Sequence, residues 1–174
     1  MVQRVCNHTA LLVVGMAMGA ALTAGWHGLT TMPKAHAVAT DGSDNFAIAT
    51  GMVEDDVEAL YFLDYLTGDL RGTIISRRNA EFTGFFTYNV LRDFDGVGDP
   101  PRFLMVTGMA NIPRGRGSTQ IGKSLIYIAE ATTGQVAAYV MPFNSTLWAS
   151  GAPQTGNFLL VAKGSFRDAV VRDE

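Results

Sequence analysis

The chain has 174 residues, with 13 Lys and Arg against 16 Asp and Glu and a formal net charge of −3, a balance that carries no electrostatic footprint for nucleic acid. All three histidines, His8, His27 and His36, and the single cysteine, Cys6, fall within the first 37 residues. If that stretch is removed, the remainder has neither imidazole nor thiol, the usual general bases, nucleophiles and soft metal ligands near neutral pH, and most enzyme classes are disfavoured.

The stretch 1–37 reads as an export signal. Arg4 supplies a short basic region, Ala10 to Trp26 form an apolar run, and Ala35-His36-Ala37 gives the small-x-small pattern that a signal peptidase cuts, so cleavage is expected after Ala37. The alternative is a retained membrane anchor. The 17 residues of the run would span roughly 25 Å against a hydrocarbon core of about 30 Å, and Gly15, Gly19, Thr23 and Gly25 dilute it. A lipoprotein is disfavoured because Cys6 precedes the apolar run instead of following it. Membrane contact is therefore expected only through this segment, if it is retained.

Removing 37 of the 174 residues leaves 137, enough for one domain at 38–174. The loss of Arg4 and Lys34 and of no acid shifts the charge from −3 to −5. Within this part the chain resembles itself. Phe46-Ala47-Ile48-Ala49-Thr50-Gly51-Met52 aligns with Phe103-Leu104-Met105-Val106-Thr107-Gly108-Met109 at an offset of 57. The string Leu60 to Leu70 then aligns with Ile126 to Val136 at an offset of 66, which places a nine-residue insertion in the second copy. Two matches in the same order point to a duplicated unit, about 46–76 and 103–143, with a partial third copy from Phe158.

Each copy predicts strands. Phe46 to Met52 and Phe103 to Met109 are short apolar runs, with Phe46 and Phe103 expected in equivalent buried positions. Tyr61 to Tyr65 and Ile126 to Ala131 are rich in aromatic and β-branched residues, and the Thr-Gly that follows each supplies the positive-φ position of a tight hairpin. Segment 80–93 fits either period, because Phe82, Phe85, Phe86, Val90 and Leu91 can share a helical face while the density of Phe, Thr and Tyr suits a strand. A short helix around 80–92 is one of the two readings.

The strings Tyr61-Phe62-Leu63-Asp64-Tyr65-Leu66-Thr67-Gly68 and Ile126-Tyr127-Ile128-Ala129-Glu130-Ala131-Thr132-Thr133-Gly134 resemble β-propeller blades of the quinoprotein type. In those blades a strand, an acidic residue, Thr-Gly and a small-apolar strand make one corner. Blades usually carry a Trp soon after Thr-Gly, absent here, and two or three copies cannot close a ring. The resemblance implies an all-β fold of mostly antiparallel meander, as a sandwich or a partial propeller completed by self-association. It carries over no quinone site.

Two motifs invite chemistry. Asp93-Phe94-Asp95-Gly96-Val97-Gly98-Asp99 alternates carboxylates with glycines and resembles the calcium loops of integrin-type FG-GAP repeats, which implies Asp93, Asp95 and Asp99 as calcium ligands. Val97 stands where a further oxygen ligand is usual, no Glu closes the set, and Asp-Gly with Asp-Pro also simply makes a turn. Asp41 to Asp44 is a weaker echo. Gly117-Ser118-Thr119-Gln120-Ile121-Gly122-Lys123-Ser124 fits the phosphate-loop pattern GxxxxGK[ST], but the chemistry needs a helix next and Leu125 to Ile128 reads as a strand. Nucleotide binding through 117–124 is the remote reading, and a Gly- and Arg-rich hairpin loop the plain one.

Glu54, Asp55, Asp56 and Glu58 read as a solvated loop, Arg77-Arg78 and Arg114 to Arg116 as surface charge, and Trp148 as packing near Phe143. The sequence therefore implies an exported β-repeat protein that serves as a binding or structural module of the periplasm or cell surface, with no catalytic residue assigned. No organic cofactor is expected, and calcium is the one ion implied. The rival class is a glycoside-type hydrolase built on carboxylates alone, which would need two of Asp55, Asp56, Asp64, Asp93, Asp95 and Glu130 to face each other across a cleft.

Overall fold

Alternation of apolar and polar residues, broken by Thr-Gly and Asp-rich turns, lays the chain out as strands from Thr40 onward. The computed structural model describes residues 40–109, 111–112 and 119–167, together with Met16. The chain divides into two units, Met1–Ala37 and Val38–Glu174, and every element named below lies in the second. The expected signal helix and its cleavage point lie outside the described residues.

Ten strands are found among the described residues: β1 (Thr40–Gly42), β2 (Phe46–Glu54), β3 (Val57–Asp64), β4 (Asp69–Ile74), β5 (Gly84–Asn89), β6 (Phe103–Met109), β7 (Thr119–Glu130), β8 (Gln135–Asn144), β9 (Gln154–Asn157) and β10 (Leu159–Ser165). The first sheet runs β1-β2-β3-β4-β5-β9 and the second β10-β8-β7-β6, and these sheets close no ring. All pairings are antiparallel except β5 with β9. The mostly antiparallel β reading therefore holds. Segment 80–93 resolves as strand β5 followed by a 3-10 turn, Val90–Asp93, that Asn89 caps by accepting from the Leu91 N–H at 3.2 Å.

The two meanders β2-β3-β4 and β6-β7-β8 share one register. Phe46 faces Asp64 and Phe103 faces Glu130; Thr50 faces Leu60 and Thr107 faces Ile126; Leu63 faces Leu70 and Ala129 faces Val136. The following turns also match. Asp64 Oδ1 accepts from the N–H groups of Leu66 and Thr67 at 2.9 and 3.1 Å, and the two oxygens of Glu130 accept from those of Thr132 and Thr133 at 3.1 and 2.6 Å. Each turn ends on a left-handed glycine, Gly68 at φ 71° and Gly134 at φ 74°, a conformation that a side chain resists.

The core lies between the sheets. Ala47, Ala49, Tyr61, Leu63, Leu70, Ile74 and Phe86 face it from the first, and Phe103, Met105, Ile126, Ile128, Tyr139, Met141 and Phe143 from the second. Phe158, between β9 and β10, packs its ring on Tyr61 and Phe86 with centroids 6.0 and 6.5 Å away. The sheets approach closely where β2 meets β7: a Cβ on Gly51 would lie 2.9 Å from Ser124 Cβ. Thr107 Oγ1 there donates to the Thr50 carbonyl at 2.5 Å.

One expectation fails. Phe103 is buried at 3% exposure, but Phe46 is 40% exposed. The strands match in register, yet the core sits on opposite sides of them. β2 turns Ala47 and Ala49 inward and Phe46 and Ile48 outward, whereas β6 turns Phe103 and Met105 inward and Leu104 and Val106 outward. β10, the strand with which the partial third copy would open, lies beside β8 as the edge of the second sheet. The helix α1 (Ser145–Ser150) was not foreseen; Asn144 caps it by accepting from the N–H groups of Thr146 and Leu147 at 3.0 Å each, and Gly151 closes it at φ 74°.

Candidate functional site

The acidic loop does not assemble a cage. Asp93 is buried at the end of the 3-10 turn, and its Oδ2 accepts from the Tyr139 hydroxyl at 2.9 Å. Burial first, then the bond to Asp93 and its negative charge, push the Tyr139 phenol well above its ordinary range. Asp95 is held through its backbone, whose N–H donates to Gln135 Oε1 at 3.0 Å and whose carbonyl accepts from Gln135 Nε2 at 2.5 Å. Asp99 precedes a cis proline, Pro100. Among the described residues no three His, Cys, Asp or Glu side chains are grouped to hold a metal ion.

Four of the six carboxylates singled out for hydrolysis are engaged in structure. Asp64 and Glu130 close their hairpin turns, Asp93 takes the Tyr139 hydroxyl, and Asp55 pairs with Lys123. Glu130 is fully buried. Burial alone would raise its pKa, but the hydrogen bonds from Thr133 and Thr132 outweigh it and hold the carboxyl at about 2. A carboxylate so committed to its own turn is a structural acceptor.

Lys123 lies within β7, with Leu125 to Ile128 continuing the same strand as the sequence implied. Gly117 and Ser118 lie outside the described residues. The Lys123 ammonium pairs with Asp55 and, at 3.0 Å, with Glu54 across the β2–β3 turn. The bond to Asp55, then the bond to Glu54 and both negative charges, raise its pKa against the opposing effect of burial. The lysine of the motif thus anchors two strands. Trp148, half-buried, donates its indole N–H to the Ile75 carbonyl at 3.1 Å, packs 6.3 Å from Phe143 and carries Arg77 over its ring at 5.3 Å, so it serves as a rim packing residue.

Sequence reasoning missed the feature that stands out, the outer face of the first sheet. Phe46 and Phe62 stack there with centroids 5.3 Å apart, and Ile48, Leu60 and Phe85 stand beside them, with Phe85 58% exposed. Of these, Leu60, Phe62 and Phe85 line a groove of about 370 Å³ along β3, β4 and β5, together with Arg71, Thr73 and Thr87. Arg71 sits opposite Phe62 on one side and Thr87 on the other, and Thr73 sits opposite Leu60, so the polar row of β4 stands between Phe85 and the apolar side chains of β2 and β3. Phe46, Ile48, Leu60 and Phe62 form the apolar patch of this face. The alternation itself carried the signal: in β2 and β3 both parities are apolar, which leaves one apolar set without a place in a two-sheet core.

A second cavity, about 520 Å³, lies between Ser43–Asn45 and Pro100–Arg102, and Tyr65 and Phe103 line it as well. It gathers one carboxylate, Asp44, and one guanidinium, Arg102, with no built polar centre. No protein-family model matches the chain, and neither a curated protein nor a solved structure matches it. Among the described residues no helix is long and apolar enough to cross a membrane.

Proposed function

We propose that the protein is an exported binding or structural module of the periplasm or cell surface, built on a duplicated three-stranded unit. Its working part is the outer face of the first sheet, and the observation that carries this is the row of exposed aromatic and aliphatic side chains on β2, β3 and β5. A surface that holds Phe46, Ile48, Leu60 and Phe85 in water gains by covering them, at roughly 25 cal/mol for each Å² of apolar area removed. The shared register and shared acid-capped turns of the two meanders support the duplication, and the Ala10 to Trp26 run with Ala35-His36-Ala37 supports export. Binding, in this reading, needs no catalytic group and no cofactor.

Two measurements test it. Intact-mass analysis of the protein from the cell envelope is expected to give an N-terminus at Val38; a species that retains residues 10–26 would overturn the export reading. An apolar fluorescent dye such as anilinonaphthalene sulfonate is expected to bind the folded chain, and Leu60→Lys is expected to remove most of that signal. Unchanged dye binding in Leu60→Lys would mean that the face is not the binding surface.

A further inference from the structure

The two outer faces of the molecule carry apolar side chains at the places equivalent to those of the two inner faces that make its core. Inside, the first meander offers a face of small residues and one tyrosine, Ala47, Ala49, Tyr61 and Leu63, and the second meets it with Phe103, Met105, Ile126 and Ile128. Register equivalence then fixes what lies outside. Phe46, Ile48, Leu60 and Phe62 occupy in the first meander the places of Phe103, Met105, Ile126 and Ile128 in the second. Leu104, Val106, Tyr127 and Ala129 occupy in the second the places of Ala47, Ala49, Tyr61 and Leu63 in the first. Leu104 and Val106 are 62% and 54% exposed, so this face too is uncovered along β6.

We propose that the protein assembles head to tail with further copies of itself, the outer face of the first sheet on one molecule seating on the outer face of the second sheet on the next, in a repeat of the packing already present inside each chain. The inference rests on the duplicated-unit reading above and names the partner of the binding face: a second copy of this chain. The internal interface is the argument for that occupant, since it shows one such pair of faces fitting together with their strands in this register. Three points differ from the inner contact. Glu58, Arg71 and Thr73 stand where the second meander has Ser124, Ala137 and Tyr139, Leu104 and Val106 stand where the first has Ala47 and Ala49, and Ile112 packs with Leu125 on β7 and Val140 on β8. The docking area is therefore β6 with the Tyr127 to Ala129 part of β7, and the contact is more polar than the core, as is usual between molecules that also exist apart.

Because the two faces are different, the contact is heterologous. Such a contact leaves one free face at each end of every open oligomer, and it builds a closed ring where the rotation closes and a filament where it does not. An isologous dimer would bury one kind of face and leave the other kind exposed.

Sedimentation velocity of the full chain between about 1 µM and 1 mM tests this, a range that brackets the weak to moderate affinities of such contacts. The wild type is expected to grow beyond a dimer as concentration rises. Ile48→Lys blocks the first face and Val106→Lys the second; both residues are exposed, and far-ultraviolet circular dichroism checks that each variant folds, with Leu60→Glu and Leu104→Glu as replacements if one does not. Each variant alone is expected to associate at least about tenfold more weakly than the wild type. Their equimolar mixture is expected to form one-to-one dimers and nothing larger, because each partner keeps one competent face. Association of Val106→Lys alone at the wild-type level would show first face on first face and overturn the proposal, as would a wild type that stays monomeric throughout. A monomeric wild type that still binds the apolar dye, and loses it on Ile48→Lys, removes the self-partner while leaving the binding face intact; a monomer that binds no dye removes both.

Discussion

Replacing Phe103 and Phe46 separately by alanine probes the opposite orientation of the two matched strands. Phe103 is 3% exposed, and its ring meets those of Phe94 and Tyr65 with centroids 5.4 and 6.4 Å away. Truncation there loses the transfer energy of a buried ring and leaves a cavity, at a cost of about 3–5 kcal/mol. Phe46 is 40% exposed and has one stacked neighbour, Phe62. Its loss removes about half of the 1.5–3 kcal/mol that full burial carries and a pair energy of about 0.5–1.5 kcal/mol, so about 1–3 kcal/mol in all. Urea unfolding followed by tryptophan fluorescence measures both. With a slope of about 2 kcal/mol per molar, Phe103→Ala is expected to lower the midpoint by about 2 M and Phe46→Ala by about 1 M. Equal shifts would mean that the two phenylalanines face the core alike, and the alternation described for β2 and β6 would be wrong.

Glu130 gives the fold an acid-sensitive point. Its folded pKa, about 2, lies below its ordinary 4.5, so the carboxylate stabilises the fold above the ordinary value and that stability is lost as pH falls from 4.5 towards 2. Acid titration of the melting temperature is expected to fall more shallowly across that window in Glu130→Gln than in the wild type, and parallel curves would show that the turn does not need the charge. Lys123→Ala is expected to lower stability by no more than about 1 kcal/mol, the range of partly exposed ion pairs, and to leave isothermal titration with ATP at baseline as in the wild type. Saturable ATP binding lost in that variant would show that residues 117–124 hold phosphate.

Local chemistry made the ladder of strands readable. Phe46 and Phe103 do begin their strands, and the acid that precedes each Thr-Gly turn does close it, because turn geometry depends on the five or six residues in hand. What sequence could not supply was the side of each strand that meets the core. In β2 the residues of both parities are apolar, and only the position of the other sheet selects Ala47 and Ala49 over Phe46 and Ile48. The Tyr139–Asp93 bond joins residues 46 apart, and β9 joins β5 across an intervening sheet, so neither leaves a local trace. The helix α1 did leave one, Asn144 as cap with Gly151 as stop. The exposed apolar face of the first sheet was legible in principle as surplus apolar residues, and it became visible only once the core had claimed its share.

The passage of the chain at Phe158 has a consequence for the order of events during folding. β9 completes the first sheet beside β5, and β10 begins in the second sheet after Phe158 alone, so a single residue ties the last strand of one layer to the last strand of the other. The exposed edge of β5 therefore stays open until residues 154–157 arrive, after β6, β7 and β8 have all been made. Closing a loop that long carries an entropic cost, and structure with such distant pairings forms slowly. A chain cut short before Gln154 would keep the two meanders and lack the stitch between them, with two adjacent edges open to any extended strand in reach.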